Sequence, residues 1–466
     1  MSEVTTVGPG AILGLVIGIA VMIYLVLRTK VHALLALIIA AAIAGLSAGM
    51  NPDQVVASIT KGFGSTLATI GLVIGFGVMM GRILEVSGAA EKLAITLVRW
   101  LGERKESWAM AATGYIVSIP IFLDSAFVIL SPLVKALSRR TKISLLTLGI
   151  SLAGGAALTH HAVPPTPGPL GAAGIFGVDI GAMIFWGLML AIPSLIALVI
   201  YAQIMGPKIE AMILRDTGEA LTDPSEAFQE FKTAAVEREK SLPSFAASIL
   251  PIGIPILLIF LNTAISSITK GTAAEAGVVT QMAQFLGNPI IAVGLGVLIA
   301  IYGIGKKLTQ TETLTELEKG VESAGIILLV TGAGGALGAV LRDGGTGDYI
   351  GQWVASLPLP AILIPFFIAS LVRLVQGSGT VAIITGASLS APILAPIPDV
   401  NLVFAAQAAC LGAMVFSYFS DSMFWVMNRM LGVKNAKHQI LTWSIPTTIA
   451  WGVALISLLV LNTLFG

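Results

Sequence analysis

Charged side chains are scarce in this sequence, and their scarcity excludes an ordinary soluble protein. Only 11% of the 466 residues are Asp, Glu, Lys or Arg, and 56% are hydrophobic. In a typical soluble protein about 25% of the residues are charged. Apolar stretches of roughly 20 residues, long enough to cross a hydrocarbon core of about 30 Å, recur along the whole chain. We therefore predict an all-α, polytopic membrane protein.

Cysteine is almost absent, and so are the sequence patterns of common cofactor sites. Cys410 is the single cysteine, which rules out an internal disulfide. The chain has no H-E-x-x-H zinc motif. A glycine-rich stretch, Thr331–Leu341, lies inside an apolar span, where glycines favour helix packing over nucleotide binding. We expect no cofactor, no metal and no nucleic-acid partner.

Two other function classes are less favoured. An intramembrane hydrolase could pair Ser378 with His160, but the G-x-S-x-G nucleophile elbow is missing. A channel would need an open pore, whereas the interrupted apolar segments described below favour alternating access. The sequence therefore favours a transporter over an enzyme.

The apolar segments repeat in the same order on either side of a polar stretch near the middle of the chain. This order predicts a first structural repeat at residues 1–205, a cytoplasmic linker at 206–243 and a second repeat at 244–466. Each repeat contains one interrupted segment that we interpret as a re-entrant hairpin, at about 109–138 and 357–396. A broken helix follows each hairpin, at about 143–178 and 402–432.

The distribution of basic residues sets the predicted topology. If each repeat crosses the membrane five times, the repeats are inverted and both termini lie outside. All but four of the 26 Lys and Arg residues then fall on the cytoplasmic side, as the positive-inside rule requires. The exceptions are Lys61, Lys270 and Arg342 outside and Arg373 within a hairpin. The first apolar run lacks a basic segment before it, so we expect a retained helix rather than a cleaved signal peptide.

The interruptions of the apolar segments indicate a binding site within the membrane. Non-helical backbone inside a membrane is tolerated only where protein or a water-filled cavity satisfies its polar groups. Four such breaks, two in each inverted repeat, are typical of transporters that bind substrate near the middle of the bilayer. The segment Leu158–Leu170, LTHHAVPPTPGPL, shows the chemistry best, because its prolines end a helix and Gly168 lets the backbone approach a ligand.

Five ionisable side chains lie at the breaks, and such residues usually mark ion or substrate paths. They are Asp124, His160, His161, Arg373 and Asp421. Arg373 can bind a carboxylate through two hydrogen bonds, and the turn that includes Gly377 offers backbone donors at a helix start. The alternative for Arg373 is a structural ion pair with Asp124. We predict proton coupling at Asp124, His161 and Asp421.

Hydroxyl, amide and imidazole groups at the breaks suit the hydroxyl groups of a substrate. Together with Arg373, Gly168 and Gly377, they complete the predicted substrate-binding set. Its remaining members are Ser125, His160, Thr166, Gln376, Ser378, Thr380 and Ser420.

The segments FLDSAFVIL, THHAVPPTPGP, RLVQGSGTVA and SDSMFW resemble, in order and spacing, the signature segments of the gluconate permease family. The resemblance covers nearly the whole chain. It implies a fold of the ion-transporter superfamily with paired hairpins, a homodimer in membrane lipid and elevator-like motion. It also implies import of gluconate or a similar small carboxylate with protons across the inner membrane. A sodium-coupled transporter of carboxylates or hydroxy-amino acids is the alternative.

Carried over position by position, the resemblance implies functional roles for a defined set of residues. The family's hairpin acid falls on Asp124 and the acid of its second broken helix on Asp421. Thr166 and Ser420 depart from the family pattern, and both lie where the substrate should be recognised. The other positions carried over are His160, Arg373, Gln376, Gly377, Ser378 and Thr380.

Overall fold

The structure is a computed structural model that describes residues 9–101, 105–218, 221, 241–269, 277–356, 360–418 and 420–466. Within these ranges all regular elements are helical. The first nine helices are α1 Pro9–Arg28, α2 Ala33–Ser47, α3 Pro52–Val86, α4 Ala89–Leu101, α5 Glu106–Val117, α6 Leu123–Thr141, α7 Leu145–Ala162, α8 Pro167–Phe176 and α9 Ile180–Thr217. The next six are α10 Phe245–Thr269, α11 Val278–Leu286, α12 Pro289–Ile299, α13 Gln310–Asp343, α14 Thr346–Ala355 and α15 Leu363–Gln376. The last five are α16 Gly379–Leu394, α17 Leu402–Gly412, α18 Ser422–Met430, α19 Ala436–Gln439 and α20 Ile445–Phe465.

Several of these helices are long and apolar enough to cross a membrane. Among the described residues they are α3, α9, α10, α13 and the helix that runs from α19 into α20 through the π-helical turn Ile440–Ser444. The bent pair α11 and α12, whose axes differ by 62°, is a sixth span if it is counted as one. These helices confirm the prediction of an α-helical, multi-pass membrane protein.

Each of the four segments that the sequence predicts to be interrupted is divided between two helices. The breaks lie at residues 118–122, 163–166, 377–378 and 413–421. Proline and glycine explain the second and third. Pro164 and Pro165 follow the end of α7, and Gly377 caps α15 with a left-handed φ of 80°, which glycine adopts without strain.

Parts of the predicted organisation stay predictions. These are the inverted repeats, the re-entrant path of the hairpins and the sidedness of the termini. Within the predicted linker at 206–243, residues 219–220 and 222–240 lie outside the described residues. The amino-terminal residues 1–8 and Lys270 also lie outside them.

Two groups of helices build the core that surrounds the site. In the first, α3 packs antiparallel to α13, with Arg82 bonded to Glu316 near one end and Ser58 bonded to Asp343 near the other. In the second, α5, α7 and α9 pack against one another, and α7 and α9 also pack against helices of the second half. Small residues allow this close approach, because a Cβ atom on Gly155 would collide with the α5 backbone.

The glycine-rich stretch in α13 has the packing role predicted for it. Gly334 lies against Ile384 and Ser388 of α16, so the contact leaves no room for a larger side chain. In this way α16, which begins at one of the breaks, is packed against the α3–α13 pair.

Candidate functional site

A cavity of about 410 Å³ lies where the broken helices meet. The first turn of α6, the last turn of α7, the turn between α15 and α16 and the turn before α18 all border it. We call it the main cavity. Its volume lies within the range of about 300–1,000 Å³ that is typical of small-molecule sites.

The structure brings nine of the thirteen predicted site residues to the main cavity. They come from the helix ends at the four breaks, which are separated in sequence. The nine are Asp124, His160, His161, Arg373, Gly377, Ser378, Thr380, Ser420 and Asp421.

The other four predicted residues do not line the main cavity. Thr166 is buried and donates its hydroxyl hydrogen to the Val163 carbonyl at 2.6 Å. Gly168 packs against Ile383 of α16. Gln376 lines a small apolar pocket that α1 and α2 share with α15, and Ser125 is half-buried on α6. These residues belong to the predicted segments but are not among those that line the cavity.

Arg373 and Asp421 form a buried ion pair at the main cavity. The Arg373 Nη2 atom lies 2.7 Å from the Asp421 Oδ2 atom, and the two side chains are 4% and 14% exposed. The other terminal nitrogen of Arg373 donates to the carbonyl of Gly377. The alternative pairing of Arg373 with Asp124 is therefore wrong, since the acid that it contacts is Asp421. These two contacts use two of the five N–H donors of the guanidinium.

Asp124 has a different environment from Asp421. Its Oδ2 atom accepts a hydrogen bond from the Ser422 hydroxyl at 2.5 Å, which links α6 to α18. Among the described residues, no cation lies within ion-pair distance of this carboxyl. Asp124 is thus the acidic group at the cavity without a fixed positive partner.

The two histidines in the last turn of α7 each present a ring nitrogen with no hydrogen-bond partner in the described part of the chain. In His161, Nδ1 lies 2.8 Å from the Ala157 carbonyl, whereas Nε2 is buried and unpaired. In His160, Nδ1 is buried and unpaired. Buried polar atoms are normally hydrogen-bonded, so these two unpaired nitrogens stand out beside the cavity.

Three helices begin at the main cavity, and their amino-terminal ends carry partial positive charge. Ser378 caps α16, and its Oγ accepts the amide hydrogen of Val381 at 3.4 Å. Phe122 precedes α6 without a side-chain cap, which leaves first-turn amides of that helix available. Such helix starts bind carboxylates and phosphates well. The site can therefore attract an anion through these helix starts.

Sequence reasoning missed a group of residues that supports Asp421. The Trp443 indole donates to the Ser417 Oγ atom at 2.8 Å, and the Ser417 hydroxyl donates to Asp421. The Ser417 amide donates to Thr447 Oγ1 at 3.1 Å. Ser417 and Ser422 flank Asp421 closely enough for the sequence to have indicated them. Trp443 and Thr447 belong to the last span, and nothing in its sequence marks them.

Comparison with known proteins identifies the family. The model of the GntP family permeases matches residues 11–464. The chain belongs to this family. It is 54% identical over 460 residues to an uncharacterized permease of Haemophilus influenzae, with 98% of this chain and 93% of that protein covered. It is also 33% identical over 444 residues to a gluconate permease of Pseudomonas aeruginosa, with 95% of both chains covered.

Two further relatives bear on the membrane function of this GntP family member. The high-affinity gluconate transporter of Escherichia coli is 30% identical over 451 residues, with 96% of this chain and 98% of the relative covered. The YdaH transporter of Alcanivorax borkumensis shares the fold, with a TM-score of 0.62, 12% identity and coverage of 89% of this chain and 90% of that one. The family resemblance and the prediction of a permease rather than an enzyme are thus confirmed.

Gly379 lies where α16 begins, and we expect its replacement by alanine to impair transport. A Cβ atom there would collide with Nε2 of His161. Overpacking of this kind costs about 1–3 kcal/mol. We therefore expect KM for uptake to rise on the order of tenfold, because His161 or the start of α16 must move. Gly452→Ala is the matched control, since a Cβ atom on Gly452 has open space around it. Equal uptake kinetics in the two variants would contradict this view of His161.

Proposed function

We propose that this permease is a secondary active transporter that imports gluconate or a related sugar acid with protons across the inner membrane. The observation that carries the proposal is the composition of the main cavity. It combines helix amino termini and hydroxyl groups with an acidic side chain, Asp124, that has no ion-pair partner in the described structure. The gluconate permease and gluconate transporters among the relatives support this class of substrate.

The carboxylate of the substrate is proposed to bind at the start of α16. Backbone amides near Gly379 and Thr380 point along the helix axis toward the cavity, as at other anion sites on helix starts. The guanidinium of Arg373 lies close by and adds positive charge, although Asp421 offsets much of it. The hydroxyl groups of a sugar acid would then reach Ser378 and the unpaired histidine nitrogens.

The proton is proposed to bind at Asp124 rather than at Asp421. The Oδ2 atom of Asp421 receives hydrogen bonds from Arg373 and Ser417, and its Oδ1 atom receives one from the Met423 amide at 3.4 Å. These donors hold the Asp421 carboxylate in a fixed position. Asp124 has one such donor, the Ser422 hydroxyl, so it can gain and lose a proton with less disruption of its surroundings. His161 is the next candidate.

We also propose the three features that the family resemblance implies. They are a homodimer, an elevator-like motion and an inverted topology. Under the predicted topology, α6 and α16 belong to opposite repeats, and their starts meet at the main cavity. A motion that carries these helix starts together would move the bound substrate across the bilayer.

We expect uptake to be driven by a pH gradient in the absence of sodium. Purified protein in proteoliposomes should accumulate gluconate when the interior is alkaline, and L-idonate and other sugar acids should compete with it. Glucose, which lacks the carboxylate, should not compete. Accumulation that follows a sodium gradient and ignores the pH gradient would favour the sodium-coupled alternative. Transport of none of the acids would contradict the proposed substrate class.

A further inference from the structure

A second cavity, of about 350 Å³, lies between the α3–α13 pair and the helices α8, α16 and α17. We call it the second cavity. It borders the last turn of α16 around Ala391, whereas the main cavity borders the first turn around Thr380. At 1.5 Å per residue these positions are about 16 Å apart along the helix axis. The predicted topology places the second cavity toward the outside, because Arg342 is one of its lining residues.

The lining of the second cavity is suited to an anionic polyol. The hydroxyls of Ser65 and Thr69 donate to carbonyls of their own helix, at 3.2 and 2.9 Å. Their oxygen lone pairs are therefore available to accept hydrogen bonds from substrate hydroxyls. Gly177 at the end of α8 also borders the space, and a Cβ atom built there meets no other atom.

Arg342 supplies the positive charge of the second cavity. Its nearest described acid is the neighbouring Asp343, at a loose 3.8 Å, and the arginine side chain is 59% exposed. The other oxygen of Asp343 accepts the Ser58 hydroxyl at 2.8 Å, so this carboxylate is partly committed to α3. The guanidinium thus keeps donors that can bind a carboxylate. The residues described as lining this cavity include no Asp, Glu or His.

We propose that the second cavity is a separate binding site that captures the same sugar acid before it enters the main cavity. This inference rests on the proposed function. The two cavities have different proposed roles, anion binding in the second cavity and proton coupling in the main cavity. The second has a cation and hydroxyls but no group that exchanges protons near neutral pH, so it binds the anion without coupling. The main cavity contains the carboxyl at which coupling is proposed.

Cysteine labelling tests occupancy of the second cavity directly. The native Cys410 is fully buried, so a cysteine introduced by Thr69→Cys should dominate modification by a membrane-impermeant methanethiosulfonate reagent. Gluconate should slow this modification in proportion to occupancy. Lys61→Cys is the matched control, because Lys61 is exposed on the same helix and does not line the cavity. Its modification should be insensitive to gluconate.

Arg342 variants separate local binding from an effect transmitted from the main cavity. In the Thr69→Cys background, Arg342→Gln should raise the gluconate concentration needed for protection on the order of tenfold, as expected for loss of a charged hydrogen-bond donor. Arg342→Lys should restore part of the protection. Without the cysteine, Arg342→Gln should raise KM for uptake from outside at low salt and leave kcat unchanged, because charge capture weakens with ionic strength.

Three results would overturn the second site. In the first, gluconate does not slow modification of Thr69→Cys. In the second, gluconate slows modification of Lys61→Cys equally. In the third, protection by gluconate is the same with and without Arg342. If the parent protein transports no sugar acid at all, the proposed function itself fails. If it transports gluconate while Thr69→Cys stays unprotected, only the second site is wrong.

Discussion

Asp124→Asn should abolish accumulation of substrate while leaving exchange of substrate down its own gradient partly intact. Asparagine preserves the size of the side chain and can still accept the hydrogen bond from Ser422. It cannot carry a proton. If the coupled proton binds to Asp124, the variant can still reorient with substrate but no longer couples that movement to the pH gradient. The measurement compares pH-driven uptake with counterflow of labelled gluconate in the same proteoliposomes.

A matched variant shows whether the carboxyl or its surroundings matter. Ser422→Ala removes the single described hydrogen-bond donor to Asp124 but leaves the acid in place, so it should retain accumulation. If Asp124→Asn accumulates gluconate like the parent, the proton binds elsewhere and His161 becomes the leading candidate. If both variants lose accumulation and exchange alike, the link between α6 and α18 is structural.

Asp421→Asn should destabilise the protein by about 3–5 kcal/mol, because it leaves the Arg373 charge buried without a carboxylate partner. The arginine side chain is only 4% exposed, so its charge would be largely desolvated. Asparagine retains the shape that caps α18, and the loss therefore reports mainly the charge. A lower temperature of unfolding in detergent, followed by size-exclusion chromatography after heating, is the measurement.

Two comparisons sharpen the stability result. Lys319→Gln removes one half of an exposed ion pair with Glu316, and surface pairs contribute only about 0–1 kcal/mol. The double variant Arg373→Gln, Asp421→Asn removes both buried charges and should recover much of the stability, while transport stays impaired. A single variant Asp421→Asn as stable as Lys319→Gln would show that Arg373 finds another partner.

The sequence predicted the breaks because they combine two conspicuous signals. In a chain with few charges, Asp124, Arg373 and Asp421 stand out at membrane depth, and a proline or glycine lies within four residues of Asp124 and of Arg373. The same sequence could not predict which acid pairs with Arg373. That choice depends on how two breaks are packed together, and the packing places Asp421 rather than Asp124 against the guanidinium.

Tertiary packing also explains why the sequence did not indicate some residues and placed others wrongly. Thr166 and Gln376 belong to the correct segments, but the direction of a side chain after a break depends on tertiary packing. Trp443 lies in an uninterrupted span, in the π-helical turn before α20. Its indole hydrogen bond to Ser417 joins residues 26 positions apart in sequence, so no local sequence pattern predicts this contact.

The two polar contacts between α3 and α13 also bear on the position of the protein in the bilayer. Ser58 and Arg82, which make these contacts on α3, are separated by about 36 Å of helix at 1.5 Å per residue. This length is close to the thickness of a hydrocarbon core with part of its headgroup layers. Each contact can therefore sit at one edge of the bilayer and resist tilting or sinking of the pair. The α3–α13 pair then offers a reference against which distance labels would measure the proposed displacement of α16.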